Sequence, residues 1–412
     1  MLGLGYIGLP TASLLATKGF DVHGVDVNPD VVETVAAGGI HIMEPELDVL
    51  VKSAVQSGKL RVGLTPEPAD IYILAVPTPF LDGHQPDLQF IEAAARRIAP
   101  CLEPGQLVIL ESTSPPGTTE QVAQWLEEER PDLRLPRAST YSAGDRPADI
   151  LVAHCPERVL PGRILQELVG NDRIVGGVDE PSTEAAVAFY EEFVSGAVLT
   201  TNSRTAELAK LSENTFRDVN IALANELSLI CHRLDVDVWE LIDLANRHPR
   251  VNILSPGAGV GGHCLAVDPW FMVASAPEEA RLIRLARELN DAKPEYVVRW
   301  VSTRAARIRD PVIACLGLAY KPDIGDLRES PALAITRRLA EEGIGRILAV
   351  EPNITRLPDE LQEVGVQFSR IEEAMHEADI VVALVAHREF LRIPVARLQE
   401  KILVNLCGLW RQ

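Results

Sequence analysis

The chain has 412 residues, 47% hydrophobic and 24% charged, the composition of a packed protein of two or three domains rather than a disordered or fibrous one. Its 39 Lys and Arg face 59 Asp and Glu, a formal net charge of -20, which argues against nucleic acid or an anionic membrane as partner. The longest apolar runs, such as 380–386, fall short of a membrane span and the Gly-rich beginning lacks a signal-peptide pattern, so a cytoplasmic location is expected.

The first elements alternate short apolar strands with amphipathic helical stretches, the pattern of a parallel sheet covered on both faces. Strands are predicted at Val22–Val25, 71–76 and Leu107–Leu110. Before them, Gly3-Leu4-Gly5-Tyr6-Ile7-Gly8 fits G-x-G-x-x-G. Its glycines permit a tight turn, close backbone approach to a pyrophosphate and close helix packing, with the helix N-terminus facing the phosphates. Asp26, eighteen residues past Gly8, ends the next strand, where a carboxylate can accept hydrogen bonds from a ribose diol. No Arg or Lys lies between Val27 and Asp30 to meet a 2′-phosphate, so NAD is favoured over NADP. Only Met1 and Leu2 precede Gly3, so the first strand is expected to be almost absent. Thr78, in Ala75-Val76-Pro77-Thr78-Pro79, and Thr113, in Glu111-Ser112-Thr113-Ser114-Pro115, follow strand ends where ligands lie in such sheets. With Thr119 they read either as contacts to the cofactor and reacting centre or as turn residues.

A different texture follows Gly196: residues 197–248 contain neither Gly nor Pro. Leu208, Leu211, Val219, Leu223, Leu227 and Ile230 recur at helical spacing, predicting one long helix entered near Asn202 or Ser203. On it Lys210, Asn214 and Arg217 share a stripe at i, i+4, i+7, which reads as an oxyanion and phosphate clamp or as a solvated polar face. Next, Gly257-Ala258-Gly259-Val260-Gly261-Gly262-His263-Cys264 sets four glycines before a cysteine, so backbone amides and a ligand can approach the thiol. Cys264 is a nucleophile candidate, with a structural cysteine as the alternative. Asp268 shares its face if a helix starts there, and would orient or deprotonate water. The six cysteines are scattered without a C-x-x-C pair, so neither a disulfide framework nor a metal site is expected. Arg158, Arg247, Arg250, Lys321 and Arg328 fall in predicted loops and suggest a diphosphate ligand.

Strand-helix alternation returns at Pro311, with strands predicted at 313–318, 347–350, 380–385 and Ile402–Asn405. Leu316-Gly317-Leu318-Ala319-Tyr320 echoes Leu2-Gly3-Leu4-Gly5-Tyr6, and Ala378-Asp379-Ile380 echoes Ala69-Asp70-Ile71 at about the same separation. The expected fold is α/β, with two Rossmann-like parallel-sheet domains (1–196 and 296–412) joined by a central helical domain (197–295) containing the long helix.

From end to end the chain resembles the UDP-glucose/GDP-mannose dehydrogenase family. The resemblance rests on the glycine-rich start, on Cys155-Pro156-Glu157-Arg158-Val159-Leu160-Pro161-Gly162, on 207–214 continuing through Arg217-Asp218-Val219-Asn220, on Arg247-His248-Pro249-Arg250-Val251-Asn252-Ile253, on Gly261-Gly262-His263-Cys264, and on Lys321-Pro322 with Leu327-Arg328-Glu329-Ser330-Pro331. It implies NAD-dependent, four-electron oxidation of the C6 alcohol of a UDP-sugar to a carboxylate, through a thiohemiacetal and a thioester on Cys264. The Arg247 to Ile253 string favours UDP-N-acetyl-D-mannosamine over a glucose or GDP-mannose nucleotide. By the same resemblance Lys210 transfers a proton or stabilises an oxyanion with Asn214. Asp268 and Glu157 are alternatives for handling the hydrolytic water, which Thr113 helps position. Gly3, Gly5, Tyr6, Ile7, Gly8, Asp26, Thr78, Thr119 and Arg328 are expected at the cofactor. Arg158, Val159, Lys210, Asn214, Arg217, His248, Arg250, Gly261, Tyr320 and Lys321 are expected at the UDP-sugar. A homodimer through the central helices is implied, with Arg250 a candidate for donation to the neighbouring site. Competing readings are a UDP-glucose or UDP-N-acetylglucosamine 6-dehydrogenase, a two-electron hydroxyacid dehydrogenase, and a catalytically silent nucleotide-sugar binding protein.

Overall fold

A strand made of continuous apolar residues has both faces to bury, and Leu107–Leu110 is buried at all four positions. The computed structural model describes residues 1–137, 148–160 and 162–410, so Pro161 of the Cys155 to Gly162 string lies outside the described residues. The chain divides into two compact units, Met1–Ser212 and Glu213–Gln412.

In the first unit the strands are β1 Val22–Val25, β2 Leu60–Gly63, β3 Ile71–Leu74, the short antiparallel pair β4 Phe80–Leu81 and β5 Gln85–Pro86, then β6 Leu107–Leu110, β7 Leu151–His154, β8 Arg173–Gly177 and β9 Val198–Asn202. β1 pairs with β2, and β3, β6 and β7 run parallel. Leu2 bridges β1 and β3 through Val25 and Leu74, so two residues occupy the position of a first strand, as expected from the chain start. Their amides and carbonyls bond Val25, Ile73 and Ala75 at 2.8 Å. The sheet departs from the all-parallel expectation at β8, which pairs antiparallel with β7. β9 then pairs parallel with β8, so the first sheet continues past Gly196. Val198, Leu199 and two threonines favour an extended edge there, where half-exposed residues carry no apolar alternation to read.

Asn202 Oδ1 accepts from Thr205 N at 2.9 Å and caps the 32-residue helix Ser203–Leu234, the long helix predicted at that position. The boundary between the units falls inside this helix. The second unit adds helices Val238–Ala245, Asp268–Ser275 and Arg281–Ala305. Its sheet contains β10 Val312–Leu316, β11 Arg346–Val350, β12 Gln367–Phe368, β13 Ile380–Ala383 and β14 Ile402–Asn405, all parallel in the order β12-β11-β10-β13-β14. With Leu2 counted as the first strand, the first sheet begins with the corresponding order, so the echo between the two sequence halves is also an echo of topology. Among the described residues no helix is long and apolar enough to cross a membrane.

Candidate active site

In the first unit, Gly3 has φ +90°, and a Cβ there would stand 2.4 Å from the Ala75 carbonyl oxygen. At Gly8 a Cβ would stand 1.8 Å from the Gly3 oxygen, whereas at Gly5 nothing lies within 4 Å. Gly3 and Gly8 are thus required by packing, and Gly5 keeps bare space above the start of helix Gly8–Thr17. Ile7 caps that helix and Tyr6 precedes it, both partly buried. Asp26 Oδ2 accepts from Leu4 N and its Oδ1 from Asn28 N, each at 2.9 Å. A carboxylate has about four acceptor positions, so Asp26 can brace the turn and still receive a ribose hydroxyl. A glycine cradle with an open helix N-terminus and a carboxylate at the end of β1 fits a dinucleotide.

Thr78 Oγ1 donates to the Thr113 carbonyl at 2.6 Å, which brings the ends of β3 and β6 together. Thr119 is the other threonine expected at the cofactor. It is fully buried, and its hydroxyl and amide both donate to Glu207 Oε1, at 2.6 and 2.7 Å. Glu207 also accepts from Gly117 N, so it closes the N-terminus of helix Thr118–Glu129. Burial pushes its carboxyl up to about 7 against the opposing pull of these hydrogen bonds.

Glu157 is buried with both oxygens engaged. Oε1 accepts from Arg158 N at 2.6 Å and Oε2 from Arg173 Nη1 at 2.5 Å. The Arg158 guanidinium donates to the Asp172 carbonyl, and Val159 beside it is partly buried. Behind Glu157, Arg173 lies over the Tyr190 ring, whose hydroxyl donates to Glu111 Oε1 at 2.7 Å. Burial raises Glu111 to about 7. Glu207, Arg173, Tyr190 and Glu111 escaped the sequence reading because their partners are 16 to 88 residues away. Lys210, on the first unit's part of the long helix, is partly buried.

In the second unit, Cys264 is partly exposed and its carbonyl accepts from Val267 N at 3.0 Å and Asp268 N at 2.8 Å. Helix Asp268–Ser275 starts at Asp268, as the condition on its role required. Asn214 Nδ2 donates to Asp268 Oδ2 at 2.6 Å, so the long helix reaches the turn that carries the thiol. Gly257 N donates to Asn225 Oδ1 at 2.9 Å, and Leu265 O accepts from Arg287 Nη1 at 3.4 Å. Arg287, 1% exposed, pairs with the wholly buried Asp218 at 2.6 Å, and burial outweighs this partner to raise Asp218.

Gly261 and Gly262 pack where a side chain would not fit. A Cβ on Gly261 would stand 2.3 Å from Glu329 O and 3.1 Å from Tyr320 Cβ, and one on Gly262 would stand 2.9 Å from the Tyr320 ring. The thiol loop, Tyr320 and the 329–331 segment are therefore one packed group. Lys321 Nζ lies 5.9 Å from the centre of the Tyr320 ring. Arg328 donates to both Asp326 oxygens, at 2.6 to 3.1 Å. Arg217, His248 and Arg250 are exposed, with Arg250 N donating to His248 Nδ1 at 3.3 Å. Asp323, His387 and Glu389 lie close enough to suggest a cation site. However, His387 Nε2 bonds Glu351 and its Nδ1 accepts from Asp323 N, so neither ring nitrogen is left for a metal.

The UDP-glucose/GDP-mannose dehydrogenase family matches in three parts: its NAD binding domain at residues 1–194, its central domain at 204–292 and its UDP binding domain at 314–410. The chain is 57% identical over 410 residues to an NDP-N-acetyl-D-galactosaminuronic acid dehydrogenase of Ralstonia nicotianae, covering 100% of this chain and 95% of the relative. It is 55% identical to the UDP-N-acetyl-D-mannosamine dehydrogenase of Campylobacter jejuni over 95% of this chain and 96% of the relative. The solved UDP-D-ManNAc dehydrogenase of Pyrococcus horikoshii superposes with a TM-score of 0.87 at 40% identity, covering 100% of this chain and 95% of that one. On these matches the chain belongs to the UDP-glucose/GDP-mannose dehydrogenase family and is an NAD-dependent oxidoreductase.

Proposed function

We propose that this protein oxidises the C6 alcohol of UDP-N-acetyl-D-mannosamine to the carboxylate of UDP-N-acetyl-D-mannosaminuronate, with Cys264 as covalent catalyst. The observation that carries this reading is the Asn214 to Asp268 hydrogen bond at the turn holding Cys264, because it gathers an amide, a carboxylate and a thiol around one loop. NAD, when bound by the Gly3 to Gly8 cradle and Asp26, accepts the hydride in each of two oxidations. Cys264 holds the aldehyde as a thiohemiacetal and then the acyl group as a thioester, so the reactive intermediate is not lost between oxidations. Water finally cleaves the thioester and releases the acid. Asp268, hydrogen-bonded to Asn214 beside the thiol turn, is the candidate for that water, with Glu157 the alternative. Lys210 and Asn214 stabilise charge at the reacting oxygen. Arg158, Val159, Arg217, His248, Arg250, Gly261, Tyr320 and Lys321 hold the UDP-sugar, Arg328 the cofactor, and Thr113 the water.

The Ralstonia relative's name favours a second substrate, an N-acetyl-D-galactosamine nucleotide, which differs in sugar stereochemistry but not in the C6 chemistry. Purified enzyme is to be assayed with NAD against the UDP forms of N-acetylmannosamine, N-acetylgalactosamine, N-acetylglucosamine and glucose. The expected result is two NADH per sugar, fastest with the first, and a Cys264→Ser variant whose free-acid formation falls by more than about thousandfold. One NADH per sugar, or acid formation unchanged in that variant, overturns the mechanism; a faster second substrate moves the specificity.

A homodimer is part of this reading. Phe216, Leu223, Ile230 and Leu234, exposed at 63, 45, 47 and 66%, repeat at seven- and four-residue spacing along the long helix, an apolar stripe suited to a second copy. The division into domains 1–196, 197–295 and 296–412 and a cytoplasmic setting belong to the same proposal.

A further inference from the structure

Within the second unit, the end of helix Ser203–Leu234 and helix Arg281–Ala305 border a cleft of about 300 Å³ lined by Ser228, His232, Gly257, Lys293, Tyr296 and Trp300. The proposed reaction uses none of these side chains. Gly257 alone connects the cleft to the thiol loop, whose first glycine it is.

Lys293 is 3% exposed, yet among the described residues its ammonium donates only to the neutral Ser228 hydroxyl, and it faces the Tyr296 ring at 5.5 Å. Burial lowers it to about 8, so near neutral pH it is still largely a cation, with no ion pair among the described residues. Trp300 Nε1 is likewise buried and has no acceptor among the described residues. Lys293, Tyr296 and Trp300 are three and seven residues apart on one helix, so ammonium, phenol and indole share a face. His232 completes a wall of rings, 4.4 Å from Trp300 and 5.8 Å from Tyr296 between centroids. Two donors and a flat aromatic wall define what fits: a group with acceptors on one edge and a π-face behind them. Asp235 and Asp237 also line the cleft and oppose a multiply charged anion.

We propose that this cleft binds a planar monocarboxylate, its oxygens between the Lys293 ammonium and the Trp300 indole N–H and its body against the rings. Because Gly257 lines the cleft and is anchored by Asn225, occupancy acts on the base of the loop that carries Cys264.

The test is titration of the full-length protein with benzoate, followed by calorimetry and by the Trp300 indole resonance, with benzamide and acetate as controls. Saturable one-site binding in the millimolar range is expected, with benzamide and acetate each weaker by about tenfold or more. Lys293→Met keeps an apolar stem of similar length and is expected to abolish binding; Trp300→Phe keeps the ring and weakens it severalfold. The proposal falls if benzoate gives no saturable response, if benzamide or acetate binds as well, or if folded Lys293→Met binds like the wild type. Should Lys293→Met fail to fold, the Trp300→Phe affinity and the two controls decide by the same criteria.

Discussion

The two sheets begin with the same device and use it differently. At the first, Gly3 with φ +90° ends a two-residue strand and Leu4 N donates to Asp26, a carboxylate still reachable by solvent. At the second, Gly317, also with φ +90°, ends β10, and Leu318 N and Ala319 N donate to Glu351. Glu351 is 3% exposed and bonds the buried His387 at 2.9 Å. Burial pushes the Glu351 carboxyl up, but the His387 contact and the amides of Leu318 and Asn353 overcome it and leave it below the ordinary value. One carboxylate braces a turn that stays open; the other is sealed into the core. A shared topology therefore does not imply a shared ligand.

The largest effect that tests this contrast is on stability. Glu351→Ala strands His387 and three amides, and should cost about 3–5 kcal/mol of folding stability with little change in NAD affinity of the protein that remains folded. Asp26→Ala should do the reverse, weakening NAD with a small shift in melting temperature. Equal loss of NAD affinity in both variants would break the contrast.

Within the first turn, Gly5→Ala meets no atom within 4 Å and should melt like the wild type while losing on the order of a hundredfold in NAD affinity. Gly8→Ala should lower the melting temperature as well, since its methyl would overlap Gly3 O. Unchanged NAD affinity in Gly5→Ala would show that the bare space is not where the phosphates lie.

A third test concerns the carboxylate buried at the start of helix Thr118–Glu129. Glu207 has a folded value near 7 against 4.5 when unfolded. Below pH 4.5 both states hold the proton and its contribution is fully present. As pH rises toward 7 the unfolded chain releases the proton first, so stability falls, by about 3 kcal/mol for this group. Chemical denaturation of Glu207→Gln across that window should show a flatter pH dependence than the wild type. Matching slopes would remove Glu207 as the source.

Much of this architecture was legible beforehand because apolar periodicity and glycine spacing are local. Val22–Val25, Leu107–Leu110 and Ile402–Asn405 stand as read, and the long helix starts at the Asn202 cap. Pairing direction is not local, so the reversal at β8 had no signal. Nor does spacing reveal which hydroxyl turns inward. Thr119 resembled Thr78 as a small polar residue in a loop after a strand, yet a glutamate 88 residues later claims it. At the thiol loop, glycine density marked the place, but the anchors Asn225 and Arg287 sit on helices whose polar residues looked like any solvated face.

Pro294 stands inside helix Arg281–Ala305, and an imino acid cannot supply the rung that would otherwise close on the carbonyl four residues earlier, Asn290. That oxygen lies 3.2 Å from where a Gly259 methyl would be. A break in one helix's ladder thus abuts the glycine backbone leading to Cys264, so restoring the missing rung by Pro294→Ala should alter how the neighbouring loop seats without touching the sulfur itself.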